Sequence, residues 1–117
     1  MDKGDVQILI DPETGGMKEQ SDIRLDLIPV EALWEVGRVY GLGARKYEDN
    51  NWRRGYRWSN SYAALQRHAV RFWGGEDRDE GGFDHMAAVA WHALTLLTFM
   101  REYPELDDRY KKEDTNA

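Results

Sequence analysis

A chain of 117 residues and 13.7 kDa is the length of one domain, with room for a modest core, and association between copies would help it enclose a whole site. Its formal charge of -6 argues against passive binding to long nucleic acid, its lack of cysteine excludes disulfides and thiolate metal sites, and no apolar run reaches the length of a membrane span. With no basic-flanked leader at its start, the chain is expected to be a cytoplasmic homo-oligomer whose partners are neither membranes nor long nucleic acids.

Residues 1–20 are polar apart from Val6-Gln7-Ile8-Leu9-Ile10, and Asp11-Pro12-Glu13-Thr14-Gly15-Gly16 is a dense turn signal. This pattern predicts an N-terminal arm over 1–21 carrying a short strand. Pro29 suits a first helical turn, and Val30, Leu33, Trp34, Gly37 and Tyr40 follow at helical spacing before Gly41 and Gly43 close the segment. The spacing predicts a first helix over 29–42. Residues 43–58 then form a loop rich in aromatics and arginine, too long for a simple connector. Ser59 or Asn60 can cap a second helix over 61–73, whose apolar stripe reads Tyr62, Leu65, Ala69, Phe72 and whose end is marked by Gly74-Gly75. Asp84 can cap a third over 85–103, apolar on nearly every side, as suits a bundle centre or a subunit interface. Pro104 stops it, and the charged residues after it read as a frayed tail. The expected fold is all-α, a compact helical domain of three main helices with a long aromatic and basic loop. Its organisation is an arm at 1–21, the helical domain at 22–109 and a charged tail at 110–117.

The stretch from Trp73 to His85 crowds Glu76, Asp77, Asp79, Glu80 and Asp84 beside an imidazole, between two strongly helical segments, with two glycine pairs bracketing the first four acids. Like charges so close repel by roughly 1 kcal/mol per exposed pair, so something cationic is expected to neutralise them. A divalent metal is one candidate, since Mg²⁺ and Mn²⁺ take carboxylate oxygens, and Glu76 lies three or four residues from Asp79 and Glu80. A solvated loop using Asp79 and Asp84 as turn and cap residues is the plainer alternative. His85 opens the third helix, where the helix dipole favours a neutral imidazole able to bind metal or accept a proton. His68 on the second helix reads equally as a site residue or as a buried histidine bonded to a carbonyl, while His92 among apolar neighbours reads as core.

Arg45, Lys46, Arg53, Arg54, Arg57, Arg67 and Arg71 make a basic segment inside this acidic chain. Within the loop, Tyr47 or Trp52 offers a stacking surface for a base, Lys46 and Arg53 offer charge for phosphates, and Asn51 offers an amide for a base or sugar edge. The same residues would also serve to pin the loop onto the helices through Trp52 and Trp58.

In order, the chain shows Arg24-Leu25-Asp26-Leu27-Ile28-Pro29, Gly43-Ala44-Arg45-Lys46-Tyr47, Asn51-Trp52-Arg53-Arg54-Gly55, Tyr62-Ala63-Ala64-Leu65 with Arg67-His68, Gly75-Glu76-Asp77 with Asp79, and Gly82-Phe83-Asp84-His85-Met86-Ala87. This succession resembles a phage-associated family, the N-terminal domain of dATP/dGTP diphosphohydrolases, over roughly residues 22–109. The resemblance implies a helical domain acting on purine deoxynucleoside triphosphates, in the host cytoplasm if phage-encoded. Some such proteins are compared with MazG-like pyrophosphohydrolases, which hold Mg²⁺ on helix-borne glutamates and aspartates. Here the second helix carries no acid before Glu76, and the third none between His85 and Glu102. The metal cage therefore does not carry over residue by residue.

The resulting expectation is a pyrophosphohydrolase cutting a nucleoside triphosphate into monophosphate and pyrophosphate. Glu76, Asp79 and His85 would hold Mg²⁺ or Mn²⁺, and Asp77 or Glu80 would activate the attacking water. Arg24, Lys46, Arg53, Arg67 and His68 would contact the nucleotide with Tyr47, Asn51 and Trp52. The rival expectation uses the same loop without chemistry, as a sponge that sequesters a host nucleotide signal, a cyclic nucleotide or an ADP-ribose derivative, against antiphage defence.

Overall fold

The computed structural model describes residues 6–111. Helix predominates, as expected, and the only sheet among the described residues has two antiparallel strands. The chain divides into two units, one ending at Val30 and the other beginning at Glu31.

In the first unit, β1 (Val6–Ile10) pairs with β2 (Met17–Ser21), with Ile8 opposite Glu19. The turn between them is built by Asp11, whose Oδ1 accepts the N–H groups of Glu13 at 2.9 Å and Thr14 at 3.1 Å. Gly15, at φ +75°, supplies the left-handed step that lets its N–H return to Asp11 O. The expected short strand is thus half of a hairpin. A 3₁₀ turn at Leu25–Leu27 follows, with Arg24 bound to Asp26 at 2.7 Å.

The second unit holds α1 (Val30–Lys46) from its second residue on, α2 (Trp58–Trp73) and α3 (His85–Glu102). Helix α1 runs four residues past the expected end, through Gly41 and Gly43. Glycine weakens a helix by roughly 1 kcal/mol but ends it only where the next residue turns left-handed, and the left-handed residue comes later, at Asn50 with φ 61°.

Helix α2 starts three residues before the expected position, and neither Ser59 nor Asn60 caps it. A distant residue holds this end of the helix instead, since Asp108 accepts the Ser59 N–H at 2.9 Å and its hydroxyl at 2.5 Å. The segment expected to fray is therefore docked as far as it bears on α2. Trp58 Nε1 donates to Tyr103 O at 3.1 Å, and Tyr103 donates its hydroxyl to Arg53 O at 2.6 Å. Of the tail at 110–117, the residues past Lys111 lie outside the described residues.

Helices α2 and α3 run antiparallel, and their inward positions recur at three and four residues: Trp58, Ser61, Leu65 and His68 meet His85, Ala88, His92, Thr95 and Phe99. The expected α2 stripe is shifted at its start, because Tyr62 points outward at 53% exposure while Ser61 is buried, and His68 points into the seam as its place on the stripe implied. On α3 burial does not follow hydropathy alone. His85 and Thr95 are fully buried beside Ala87, Ala88 and Phe99, whereas Leu94, Leu97 and Met100 are exposed. Periodicity of apolar residues misled here because the seam is held by hydrogen bonds. Buried apolar residues lie along the seam, with Ala87 and Ala88 near His85 and Trp58 and Phe99 towards the other end, where Phe99 takes edge-on contacts from Tyr56 at 5.0 Å and Tyr103 at 5.6 Å.

Candidate functional site

A cavity of about 800 Å³ opens between the second half of α1, the loop after it, and α3. Its size suits a small-molecule ligand. Tyr40 from α1, Trp52 from the loop and Trp91 from α3 form its aromatic wall, with ring centroids 5.7 to 6.2 Å apart. A 3₁₀ turn at Asn51–Arg54 carries Trp52 into this wall, entered through the left-handed Asn50 and left through Gly55. Gly55 has φ +91°, and an added Cβ would stand 3.0 Å from the Tyr103 ring. Only glycine fits both demands.

Of the residues expected to hold a nucleotide, Lys46, Tyr47, Asn51 and Trp52 all line this cavity. Arg53 lays its guanidinium over the Trp52 ring at 4.8 Å. Glu48, also at the cavity, is bridged to Arg54 at 2.8 Å. Arg67 and His68 stand on α2 and do not line it, and Arg24 belongs to the first unit. Tyr40, Tyr56, Asn60, Trp91 and His92 line it without having been singled out for a site. Tyr40 and Trp91 read as ordinary helix-face aromatics, and His92 as core; only the packing of three elements turns those faces onto one space.

A polar chain runs along the α2–α3 seam away from the cavity. Ser61, fully buried, lies 3.1 Å from His92 Nδ1 and 2.5 Å from the Tyr56 hydroxyl. His92 stacks on His68 at 6.3 Å, His68 Nδ1 meets His85 Nδ1 at 2.9 Å, and His85 Nε2 reaches Glu76 Oε1 at 3.1 Å. Burial pushes the pKa of His92 down to about 4, with the charges of His68 and Arg67 adding to the effect. His68 is lowered by the same causes, burial first and then His85. Burial raises the Tyr56 and Tyr40 phenols. The hydrogen bond to His85, with Arg71 alongside, holds the Glu76 carboxyl below its ordinary value.

Arginine and backbone amides engage four of the acidic loop's five carboxylates. Arg71 binds Glu76 at 2.8 Å and Glu80 at 3.1 Å, and Arg78 binds Asp84 at 3.0 Å. Asp84 thus occupies the N-cap position of α3 without capping it by its side chain. Asp79 Oδ1 accepts the N–H groups of Gly81 at 2.9 Å and Phe83 at 3.0 Å, which makes it the organiser of its own turn. The exposed Asp77 contributes its carbonyl oxygen, which accepts the His85 N–H at 3.0 Å. The structure thus brings Glu76 and His85 together and directs Asp79 elsewhere. Among the described residues, no three His, Asp or Glu side chains converge where a metal ion could be held. Glu76, Asp79 and His85 do not form a preassembled cage.

No helix among the described residues is long and apolar enough to cross a membrane. The family model for dATP/dGTP diphosphohydrolase, N-terminal, matches residues 12–109. A protein named dATP/dGTP diphosphohydrolase, from Salmonella phage PMBT28, is 31% identical over 97 residues, which are 82% of this chain and 33% of that protein. The chain therefore spans about a third of the length of this curated relative. No solved structure matches. The cavity wall and the polar seam both lie inside the matched span, which takes in most of the sequence, and the chain belongs to the family of dATP/dGTP diphosphohydrolase N-terminal domains.

Proposed function

We propose that this chain provides the nucleotide-binding part of a metal-dependent (deoxy)purine nucleoside triphosphate pyrophosphohydrolase that releases monophosphate and pyrophosphate. The observation that carries this reading is the aromatic cavity, where Tyr40, Trp52 and Trp91 offer ring faces for a base and Lys46 offers charge for phosphates. The family membership and the relative's name point to the same substrate class. Mg²⁺ commonly binds through one or two carboxylates plus substrate phosphates and water, so the reading needs no preassembled cage. Exposed Leu94, Leu97 and Met100 on α3 support the companion expectation of a homo-oligomer.

A second reading is favoured by the acidic loop. All but one of its carboxylates, Asp77 excepted, are engaged by Arg71, Arg78 and backbone amides, which suits a structural loop beside a pocket that only binds. On that reading the chain sequesters a host nucleotide signal intact.

One experiment separates the two. The purified protein is incubated with deoxynucleoside triphosphates and cyclic nucleotides, with Mn²⁺ or with EDTA, and ligands and products are identified by mass. Monophosphate and pyrophosphate formed only with metal support the hydrolase. An intact nucleotide recovered from the denatured protein under both conditions supports sequestration, and no bound or altered nucleotide refutes both.

A further inference from the structure

Two polar residues of the cavity wall are hydrogen-bonded in series through a third behind it. Tyr56 and His92 line the cavity, and the buried Ser61 hydroxyl joins them, 2.5 Å from the Tyr56 oxygen and 3.1 Å from His92 Nδ1. His92 Nε2 has no protein partner among the described residues and is not sealed from solvent.

A serine hydroxyl between two partners donates once and accepts from the other, so the chain has two directions. In the first, Tyr56 donates to Ser61, Ser61 donates to His92 Nδ1, and the imidazole proton sits on Nε2, which is a donor. In the second, His92 Nδ1–H donates to Ser61 and Ser61 donates to the Tyr56 oxygen, which leaves Nε2 as an acceptor. Each direction makes the same two internal hydrogen bonds, and in the second the Tyr56 O–H proton, released from Ser61, is to be met by water or ligand in the cavity that Tyr56 lines.

We propose that His92 Nε2 reads the 6-substituent of a purine base, and that the Tyr56–Ser61–His92 chain reverses to accept either the 6-oxo or the 6-amino group. This rests on the reading of the cavity as a purine nucleotide site. Guanine presents an acceptor oxygen at position 6 and adenine a donor amino group, so a fixed donor or a fixed acceptor would favour one purine strongly. Burial keeps His92 neutral near pH 7, which leaves one ring nitrogen protonated and the other free. A cationic imidazole would donate from both nitrogens and would repel the amino group.

His92 is then a specificity-determining residue, and Tyr56 and Ser61 are positioning residues that act through it. The decisive measurement is ¹⁵N–¹H long-range NMR of His92 in the intact protein with non-hydrolysable α,β-methylene analogues of dATP and dGTP in Mg²⁺. The Nε2–H tautomer is expected with the guanine analogue and the Nδ1–H tautomer with the adenine analogue; the same tautomer with both overturns the proposal. The second measurement is Tyr56→Phe, which keeps the ring against Phe99 and removes the oxygen that Ser61 needs in the acceptor direction. The adenine analogue is expected to bind about tenfold more weakly while the guanine analogue changes less than about twofold. Equal weakening of both overturns the relay. Failure of the wild-type protein to bind either analogue overturns the cavity assignment itself, and so the two failures are distinguishable.

Discussion

His68 and His85 face each other Nδ1 to Nδ1 at 2.9 Å across the seam between α2 and α3. Two protons or two lone pairs cannot share that contact, so one ring donates and the other accepts. The Glu76 carboxyl is held below its ordinary value and accepts in its ionised form, so His85 donates to it from Nε2, and in the tautomer that leaves the His85 Nδ1 lone pair free His68 donates from Nδ1 to His85. A carboxylate at the surface thereby sets the tautomers of two imidazoles in the seam.

Replacing His85 with alanine removes a fully buried ring and leaves the Nδ1–H of His68 without its partner. A loss of about 2–4 kcal/mol in folding stability is expected from the cavity and the orphaned donor together. Urea denaturation at pH 7 measures it. A change below about 0.5 kcal/mol would show that the histidine line contributes little to the seam.

Stability should fall as the solution is acidified from pH 6.5 towards 4. His92 has its folded pKa lowered to about 4 from a reference of 6.5, and His68 is lowered too. Between the two values the unfolded chain binds the proton and the folded one resists it, so the stability is complete above 6.5 and lost on descent. Glu76, also lowered, adds a loss of the same sign only below its ordinary value of 4.5. Denaturation midpoints at pH 7, 6 and 5 test the upper window, and His92→Asn should flatten the slope. A flat wild-type profile would rule out a buried neutral His92.

Gly55→Ala is expected to be among the most disruptive single-methyl additions in the loop. The new Cβ would sit 3.0 Å from the Tyr103 ring, at a φ of +91° that a side chain rarely adopts. Displacing Tyr103 also breaks its hydrogen bond to Arg53 O. A cost of about 2–3 kcal/mol is expected, read as a lowered melting temperature.

The glycines inside α1 should separate stability from binding. An added Cβ at Gly37 or Gly43 meets nothing within 4 Å, so alanine at either should stabilise the helix by about 0.5–1 kcal/mol. Gly43 lines the cavity and Gly37 does not. Both variants should therefore melt higher, and Gly43→Ala alone should bind nucleotide more weakly in calorimetry. Equal affinity for the two variants would remove α1 from the binding wall.

The helices and their order were legible in the sequence because local cues sufficed: Pro29 near the start of α1, Gly74-Gly75 after α2 and Pro104 after α3 punctuate segments of helical pattern. Residue chemistry also singled out the loop of Lys46, Tyr47, Asn51 and Trp52, which does line the cavity. The start of α2 was misplaced, since Asp108 reaches Ser59 from 49 positions away, whereas Asp84 does stand at the N-cap of α3 but gives its carboxylate to Arg78. The acidic loop read as needing something cationic beside it, a metal being one candidate, because charge can be counted along a chain but ion pairing depends on which side chains meet. Folding in three dimensions brings the arginines to the carboxylates, turns the histidines of α3 inward and its Leu94 and Leu97 outward, and joins His92 to Tyr56 through Ser61. Apolar periodicity reports which face could be buried for its hydrophobicity, whereas a hydrogen-bonded seam is fixed by pairings between distant residues that no local pattern encodes.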